Sequence, residues 1–348
     1  MSQVAAYAAP SATDDLAPLT IERRDVGPND IQIDIEYCGV CHSDIHVARN
    51  EWKNTIYPTV PGHEIIGRVS SIGNDVEGFE TGDLVGVGCL VDSCRQCHHC
   101  EEHLEQYCSD KLLTYNSEDP QLGGPTFGGY SKQVVVDKDF VLRIPSNLDR
   151  KAVAPLLCAG ITTYSPLKHW NIKPGDKVGI IGLGGLGHMG VKFAHALGAE
   201  VTMITTSPTK GEDAMTLGAD KVLISKDADA MTAHTDYFDF LLNTIPCSHD
   251  MNPYVELLQR DGTMVIVGAI EPIEPGINGG PMIFGRKSIA GSLIGGIQET
   301  QEMLDFCGEH DIVCDIEMIN MADINTAYER MIKGDVKYRF VIDVNNSL

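Results

Sequence analysis

Short apolar runs separated by turn residues fill the first 150 residues of the chain. The runs lie at 31–37, 69–72, 84–87 and 132–136, and turn signals such as Gly27-Pro28-Asn29-Asp30 and Pro61-Gly62 stand between them. Runs of this length, rich in β-branched residues and bounded by Gly, Pro, Asn and Asp, are typical of strands. We therefore predict a β-rich, loop-rich domain here.

The pattern of apolar runs along the chain changes near residue 154. From there, further apolar runs alternate with helix-length segments, at 178–181, 201–205, 222–224, 238–243, 263–267 and 288–293. Alternating strands and helices predict a parallel, doubly wound sheet. The fold class predicted from the pattern is therefore α/β, with a β-rich domain in front.

The C-terminal stretch returns to mixed structure. Four apolar residues follow the helical spacing i, i+3, i+4, i+7, namely Ile324, Ala327, Tyr328 and Met331. Asp323 is the predicted N-cap of this helix and Gly334 its predicted stop. The run 338–342 then reads as a strand, and its periodicity does not say which sheet it joins.

The length of the chain indicates its number of domains, and its charge excludes some classes of binding partner. The 348 residues suggest about two domains. The chain carries 26 basic and 49 acidic residues, a formal net charge of −23, which argues against binding to nucleic acid or to an anionic membrane surface. No apolar run approaches the ~18 residues of a transmembrane helix, and the first fifteen residues contain no Lys or Arg. We expect a cytoplasmic protein without a secretory leader.

A glycine loop follows the predicted strand 178–181. Residues 182–187 read Gly-Leu-Gly-Gly-Leu-Gly and fit the pattern G-x-G-x-x-G between a strand and a helix. In this pattern the glycines provide a tight turn, close approach to a pyrophosphate and close packing of helix on strand. The sequence predicts a dinucleotide site that includes Gly182, Gly184, Gly185, Leu186 and Gly187.

The end of the next predicted strand bears on the choice of dinucleotide. NAD-selective sites usually carry Asp or Glu there, about 20 residues after the glycine loop, to hold the ribose 2′-hydroxyl. This chain has hydroxyl groups and a lysine instead, on Thr205, Thr206, Ser207 and Lys210. Such groups attract a 2′-phosphate, so we predict NADP(H) rather than NAD(H). The alternative is a solvated loop with an incidental lysine.

Four of the eleven cysteines form a tight cluster. Cys94, Cys97, Cys100 and Cys108 give C-x2-C-x2-C-x7-C, and four thiolates this close can surround one tetrahedral ion. Bacterial ferredoxins begin similarly but continue C-x3-C-P, so we predict a structural zinc site. A zinc-ribbon nucleic-acid module is the other interpretation, and the acidic flanks Glu101, Glu102 and Glu105 argue against it.

Several separated motifs match one family in the expected order. They read CGVCHSD at 38–44, PGHEIIG at 61–67, GDLVGVG at 82–88, CAGIT at 158–162 and GSLIGG at 291–296. With the four-cysteine cluster and the glycine loop, the chain resembles the zinc-dependent medium-chain alcohol dehydrogenases, specifically the cinnamyl-alcohol-dehydrogenase-like aldehyde reductases. The resemblance implies a discontinuous GroES-like catalytic domain of residues 1–157 and 297–348, a Rossmann domain of residues 158–296, and a homodimer.

The resemblance also implies a catalytic zinc site. Its ligands would be Cys41, His63 and Cys158, with Glu64 taking the fourth position in the resting enzyme. Asp44 would hydrogen-bond His63 and fix its tautomer.

The implied reaction is reversible reduction of aldehydes to primary alcohols with NADPH, in which zinc polarises the carbonyl oxygen. Ser43 and His46 would relay the proton, since an imidazole exchanges protons with water near neutral pH. His42, Thr162 and Arg339 would contact the cofactor.

The resemblance implies five substrate-pocket residues, Trp52, Cys89, Leu113, Leu293 and Ile294. Their apolar character suits aromatic or medium-chain aldehydes, whereas Leu113 replaces the tryptophan of the lignin-forming plant enzymes and argues against strict monolignol specificity. Three alternatives remain open at this point: a polyol dehydrogenase, a formaldehyde dehydrogenase, and a non-catalytic binding protein that retains the fold.

Overall fold

The computed structural model describes residues 1–268 and 271–348. The chain packs into two compact units, one formed by Met1–Ile161 with Gly295–Leu348 and the other by Thr162–Ile294. None of the described helices has the length and apolar character that crossing a membrane requires.

The regular elements are as follows. The strands are β1 Ser2–Ala8, β2 Ala17–Arg23, β3 Asp30–Gly39, β4 Ile65–Ile72, β5 Leu84–Val87, β6 Leu90–Asp92, β7 Leu112–Leu113, β8 Gln133–Asp137, β9 Leu142–Arg143, β10 Lys177–Ile181, β11 Glu200–Thr205, β12 Lys221–Ile224, β13 Phe238–Asn243, β14 Leu258–Ile266, β15 Ser288–Gly291, β16 Ile316–Ile319 and β17 Arg339–Asp343. The α-helices are α1 His42–Ala48, α2 His98–Glu101, α3 Arg150–Val153, α4 Ala159–His169, α5 Gly187–Ala196, α6 Pro208–Thr216, α7 Ala228–Ala233, α8 Asn252–Leu257, α9 Gly279–Gly285, α10 Ile297–His310, α11 Ile324–Ile332 and α12 Val344–Ser347. Short 3-10 turns lie at Glu105–Tyr107, Lys138–Phe140, Ala154–Leu157 and Met321–Asp323.

A seven-stranded sheet is the centre of the first unit. Its order is β16-β17-β3-β4-β5-β9, and β8 also pairs with β3. The long strand β3 buries Ile31, Ile33 and Ile35 on one face, as the alternation of apolar and polar residues predicts. The strands predicted at 31–37, 69–72, 84–87 and 132–136 are confirmed, and β4 begins earlier than predicted, at Ile65.

The C-terminal stretch returns to this first sheet. Strand β17 pairs antiparallel with β3, with Ile342 opposite Cys38, so it closes the sheet that the N-terminal half begins. The predicted helix is also confirmed, because α11 buries the four residues that follow the helical spacing. Asp323 stands at the N-cap position, but its carboxylate accepts from the Asn320 N–H of the preceding turn. Gly334 follows the helix with a φ of 68°, a left-handed conformation that suits glycine.

The second unit contains the predicted parallel sheet. Its six strands run in the order β12-β11-β10-β13-β14-β15, and neighbouring strands are parallel. Strand β10 lies between β11 and β13, so the chain order reverses there, and ligands of open α/β sheets bind at the carboxyl ends of strands at such a point. β14 begins at Leu258, before the predicted 263, and its register with β13 shifts between Phe238 and Phe240. β15 ends at Gly291 rather than at 293.

Candidate active site

The loop between β3 and α1 carries the first group of candidate residues. Cys41 is the N-cap of α1, and the Asp44 side chain accepts from the Cys41 backbone N–H at 2.8 Å. A reciprocal contact of this kind at a helix start is a capping box. It fixes the position of Cys41, and Ser43 lies on the first turn with its Oγ 3.7 Å from Cys41 Sγ.

The second group lies immediately before β4. Gly62 has a φ of 102°, in the region that favours glycine, and its N–H donates to Asp44 Oδ1 at 3.1 Å. His63 follows, with Nδ1 3.3 Å from the same carboxylate oxygen. A histidine held this way through Nδ1 keeps its other ring nitrogen for a metal.

The structure brings the predicted ligand set together. Cys158 ends the 3-10 turn before α4, and its Sγ lies 3.9 Å from that of Cys41. One ligand atom from each of Cys41, His63, Glu64 and Cys158 lies within 4.8 Å of the others. Residues 117 positions apart in the sequence thus meet at one point inside the first unit.

The chemistry of this donor set fits zinc. Two thiols, an imidazole and a carboxylate are the ligand types that Zn²⁺ takes in proteins, and Cys2His is a known catalytic set. The thiol of Cys158 hydrogen-bonds Cys41 and lowers the pKa of Cys41, with His63 adding to the effect against the opposing influence of burial. Within the described chain, Glu64 Oε2 is buried without a hydrogen-bond partner. This oxygen is therefore available to bind a cation, which would neutralise the charge of the carboxylate.

Arg339 lies against Glu64, and the sequence does not indicate this contact. The guanidinium donates to Glu64 Oε1 and, at 2.9 Å, to the Val40 carbonyl, and both charged side chains are buried. Burial raises the pKa of Glu64 to about 8, and the positive charge of Arg339 limits that rise. The predicted contact of Arg339 with a cofactor stays a prediction.

Glu51 is a site residue that the sequence interpretation missed. Its carboxylate hydrogen-bonds His46 Nδ1, and both side chains are partly exposed. The ring of Trp52 lies 5.1 Å from that of His46, and His42 is exposed with its ring 6.4 Å from His46. Glu51 stands five residues after the predicted relay histidine, a spacing that carries no periodic signal by which the sequence could have indicated the pair.

The remaining pocket and cofactor candidates divide between the units. Trp52, Cys89 and Leu113 lie in the first unit, where Cys89 hydrogen-bonds Cys158 and its pKa is lowered by that contact. Thr162, Leu293 and Ile294 lie in the second unit, with Thr162 buried on α4. Their predicted roles stay predictions.

The four-cysteine cluster closes in the first unit. One thiol sulfur from each of Cys94, Cys97, Cys100 and Cys108 lies within 4.8 Å of the others. Backbone N–H groups of Gln96 and Cys97 donate to Cys94 and lower its pKa to about 7. Four thiols that converge on one point, one of them accepting hydrogen bonds from backbone N–H groups, fit a structural, four-coordinate zinc.

The glycine loop has the shape of a phosphate cradle. Gly182 has a φ of 91°, and a Cβ on Gly187 would overlap the Gly182 carbonyl, so both positions require glycine. A Cβ on Gly184, in contrast, would meet nothing within 4 Å. The open face there, followed by the N-terminus of α5 at Gly187, fits a pyrophosphate.

The segment after β11 is fixed beside this loop. Ser207 is the N-cap of α6, and its side chain accepts from the Lys210 N–H at 3.5 Å. Lys210 Nζ donates to the Leu183 carbonyl of the glycine loop at 3.2 Å. Thr205 is buried and its hydroxyl accepts from the Ser207 N–H, whereas Thr206 is exposed. A cation and hydroxyl groups therefore stand beside the glycine loop.

Two family models match the chain. The model of the alcohol dehydrogenase GroES-like domain matches residues 27–146. The model of the zinc-binding dehydrogenases matches residues 185–309. Together they confirm the predicted fold class, a GroES-like β-rich domain with a Rossmann-type parallel sheet.

Known relatives and solved structures are similar to this chain along nearly its whole length. Aldehyde reductase YahK of Escherichia coli is 58% identical over 346 residues, which cover 98% of each chain. NADP-dependent alcohol dehydrogenase C 1 of Mycolicibacterium smegmatis is 52% identical and covers 99% of this chain and 98% of its own. A cinnamyl alcohol dehydrogenase of Sorghum bicolor has a TM-score of 0.96 at 45% identity, covering 100% of this chain and 99% of its own. The chain therefore belongs to the zinc-dependent medium-chain alcohol dehydrogenases, in the branch of the cinnamyl-alcohol-dehydrogenase-like aldehyde reductases.

Proposed function

We propose that this chain reduces aldehydes to primary alcohols with NADPH and zinc, reversibly. The observation that carries the proposal is the convergence of Cys41, His63, Glu64 and Cys158 on one point, beside the hydroxyl of Ser43. The names of the relatives, an aldehyde reductase and an NADP-dependent alcohol dehydrogenase, support the same reaction class.

We assign the catalytic zinc to Cys41, His63 and Cys158, with Glu64 as a fourth, exchangeable ligand. The bound ion supplies Lewis-acid polarisation of a carbonyl oxygen. Arg339 forms a buried ion pair with Glu64. The carboxylate would therefore keep a partner if a substrate oxygen replaced it as a zinc ligand. Asp44 holds the imidazole of His63 through Nδ1.

The proton path uses three side chains of the first unit. Ser43 Oγ lies beside the ligand Cys41 and can donate its proton to a developing alkoxide. His46 is partly exposed, so it can restore that proton from water, and Glu51 orients its ring through Nδ1. This arrangement separates the buried metal ligands from the solvent-facing end of the relay.

Replacing His46 by glutamine should lower kcat for alcohol oxidation about tenfold, because water then has to replace a positioned proton acceptor. Steady-state rates near neutral pH measure this, and added imidazole should restore part of the loss. His310→Gln, an exposed histidine of α10, is the matched control. An unchanged kcat in His46→Gln would remove this residue from the relay.

The cofactor is NADP(H), held by the second unit. The glycine loop and the N-terminus of α5 receive the pyrophosphate, and reduced nicotinamide supplies the hydride. Ser207 and Lys210, beside the loop, receive the 2′-phosphate of the adenine ribose. Thr162, in the same unit, is assigned to the nicotinamide, and the cofactor contacts implied for His42 and Arg339 stay predictions.

The substrate class is aromatic or medium-chain aldehydes. We assign Trp52, Cys89 and Leu113 of the first unit to the pocket, where Trp52 and Leu113 are apolar. The pocket roles implied for Leu293 and Ile294 stay predictions. The test is a panel containing cinnamaldehyde, hexanal, formaldehyde and the polyol mannitol, each with NADP(H). We expect the highest kcat/KM for cinnamaldehyde or hexanal; higher values for formaldehyde or mannitol would overturn the assignment.

We further propose a homodimer located in the cytoplasm, with catalytic domain 1–157 plus 297–348 and cofactor domain 158–296. Two candidate metal sites that contain free thiols favour a reducing compartment. Ile283 and Phe284 on α9 are 77% and 92% exposed, and β15 forms an edge of the six-stranded sheet. Large exposed apolar side chains and the edge of a sheet are both features that suit association with a second copy.

Phe284→Glu should convert the dimer to a monomer, because it places a charge in the apolar contact. Light scattering coupled to size exclusion measures the mass. Met215→Glu, at an exposed apolar residue of α6 in the same unit, should leave the dimer intact. A wild-type chain that is monomeric, or a Phe284→Glu chain that stays dimeric, would contradict this interface.

A further inference from the structure

A buried tyrosine lies behind the metal ligands, on the segment 127–131. Tyr130 is fully buried and its hydroxyl donates to Asp44 Oδ2 at 3.2 Å. The same carboxylate accepts from the N–H groups of Cys41 and Gly62 and holds His63. Asp44 is therefore the point at which Tyr130 meets the metal site.

The backbone of this segment is fixed against the chain that carries His63. Gly128 N–H donates to the Val60 carbonyl at 2.7 Å, Gly129 N–H to the Gly62 carbonyl at 2.8 Å and Tyr130 N–H to the Pro61 carbonyl at 3.0 Å. A Cβ on Gly128 would overlap the carbonyl oxygens of Pro61 and Gly62. The two segments can approach this closely only because the residue is glycine.

A buried arginine holds the other side of the segment. Arg23 donates to the carbonyls of Phe127 at 2.7 Å, Gly128 at 3.0 Å and Gln133 at 2.9 Å, and to Ser131 Oγ at 2.9 Å. These acceptors are uncharged, so the guanidinium serves to order the backbone rather than to form an ion pair. Tyr130 consequently presents its hydroxyl from a segment tied down on both sides.

The ring of His63 has little remaining freedom. It stacks on buried Tyr115 with ring centroids 5.6 Å apart and an interplanar angle of 23°. Stacking restricts tilting of the imidazole but leaves rotation within its own plane, and the 3.3 Å contact of Nδ1 with Asp44 Oδ1 restricts that rotation. The direction of Asp44 therefore decides where the second ring nitrogen of His63 points.

We propose that Tyr130 is a positioning residue of the catalytic metal site, acting on His63 through Asp44. The inference rests on the proposed function, because it takes His63 as a zinc ligand. Loss of the hydroxyl removes one of the donors that orient the carboxylate. Outer partners of a metal-binding histidine typically change metal affinity by about ten- to a hundredfold when they are lost.

The test compares zinc release from the purified holoenzyme and from Tyr130→Phe, which keeps the ring and removes only the hydroxyl. Zinc content is measured first, and release to a chromogenic chelator is then followed in time. We expect two ions per chain in both proteins, with one released about tenfold faster from Tyr130→Phe and the other unchanged. The cobalt-substituted variant should also show a shifted visible band, which reports ligand geometry independently of activity.

Tyr237→Phe is the matched control, since it removes a tyrosine hydroxyl that donates to a carboxylate, Glu200, in the second unit. It should release both ions as the wild type does. Equal release from Tyr130→Phe and wild type would overturn the inference, and so would faster release of both ions with a lowered unfolding temperature. A wild-type chain that holds only the four-cysteine zinc would instead overturn the proposed catalytic site.

Discussion

Cys158→Ala is expected to lower the rate of aldehyde reduction at least about a thousandfold and to remove one of two zinc ions. Cys158 supplies one of the two thiolates of the proposed catalytic site. Lewis-acid stabilisation of developing charge contributes several kcal/mol, and a loss of about 4 kcal/mol corresponds to about a thousandfold in rate. Metal analysis and steady-state kinetics on the same preparation measure both effects.

The control for this prediction is Cys247→Ala, at an exposed thiol of the second unit. It should keep two zinc ions and wild-type activity. If Cys158→Ala kept more than about a tenth of the activity, or kept both ions, the assignment of Cys158 as a catalytic ligand would be wrong.

Ser207→Asp should lower kcat/KM for NADPH about a hundredfold while kcat/KM for NADH changes little. Aspartate is as good an N-cap as serine, so α6 should still begin at the same residue. The new carboxylate, however, repels a 2′-phosphate, and like charges near a protein surface interact by a few kcal/mol at contact. A loss of about 2.7 kcal/mol corresponds to a hundredfold change.

Ser207→Asn separates charge from shape in this experiment, because asparagine also caps helices but adds no charge. Its NADPH efficiency should stay within a few-fold of wild type. If both cofactors lost efficiency equally in Ser207→Asp, the change would reflect damage to the loop, and the 2′-phosphate assignment would fail.

Local patterns in the sequence predict much of the fold. The glycine loop stands between a strand and a helix as predicted, and the runs 84–87 and 238–243 match β5 and β13. These predictions succeed because they depend only on neighbouring residues. Periodicity could not assign β17 to a sheet, since its pairing with β3 joins distant parts of the chain.

In the candidate site, too, features set by neighbouring residues could be predicted, and features that join distant parts of the chain could not. Spacing alone indicated the four-cysteine cluster, whose members lie within fifteen residues. The other cluster required the family resemblance, because Cys41 and Cys158 are far apart in the sequence and only the fold brings them together. The partners Glu51 for His46 and Arg339 for Glu64 were not predicted, because side-chain pairing across loops and strands leaves no periodic signal.

Zinc-dependent aldehyde reduction with NADPH can be followed in a single absorbance assay. The loss of reduced-nicotinamide absorbance with cinnamaldehyde is followed with NADPH and with NADH, before and after zinc chelation. We expect fast oxidation of NADPH, slower oxidation of NADH, and loss of both rates on chelation with recovery when zinc is restored. Activity that survives removal of both zinc ions would exclude a zinc-dependent reaction, and a preference for NADH would exclude NADPH as the cofactor.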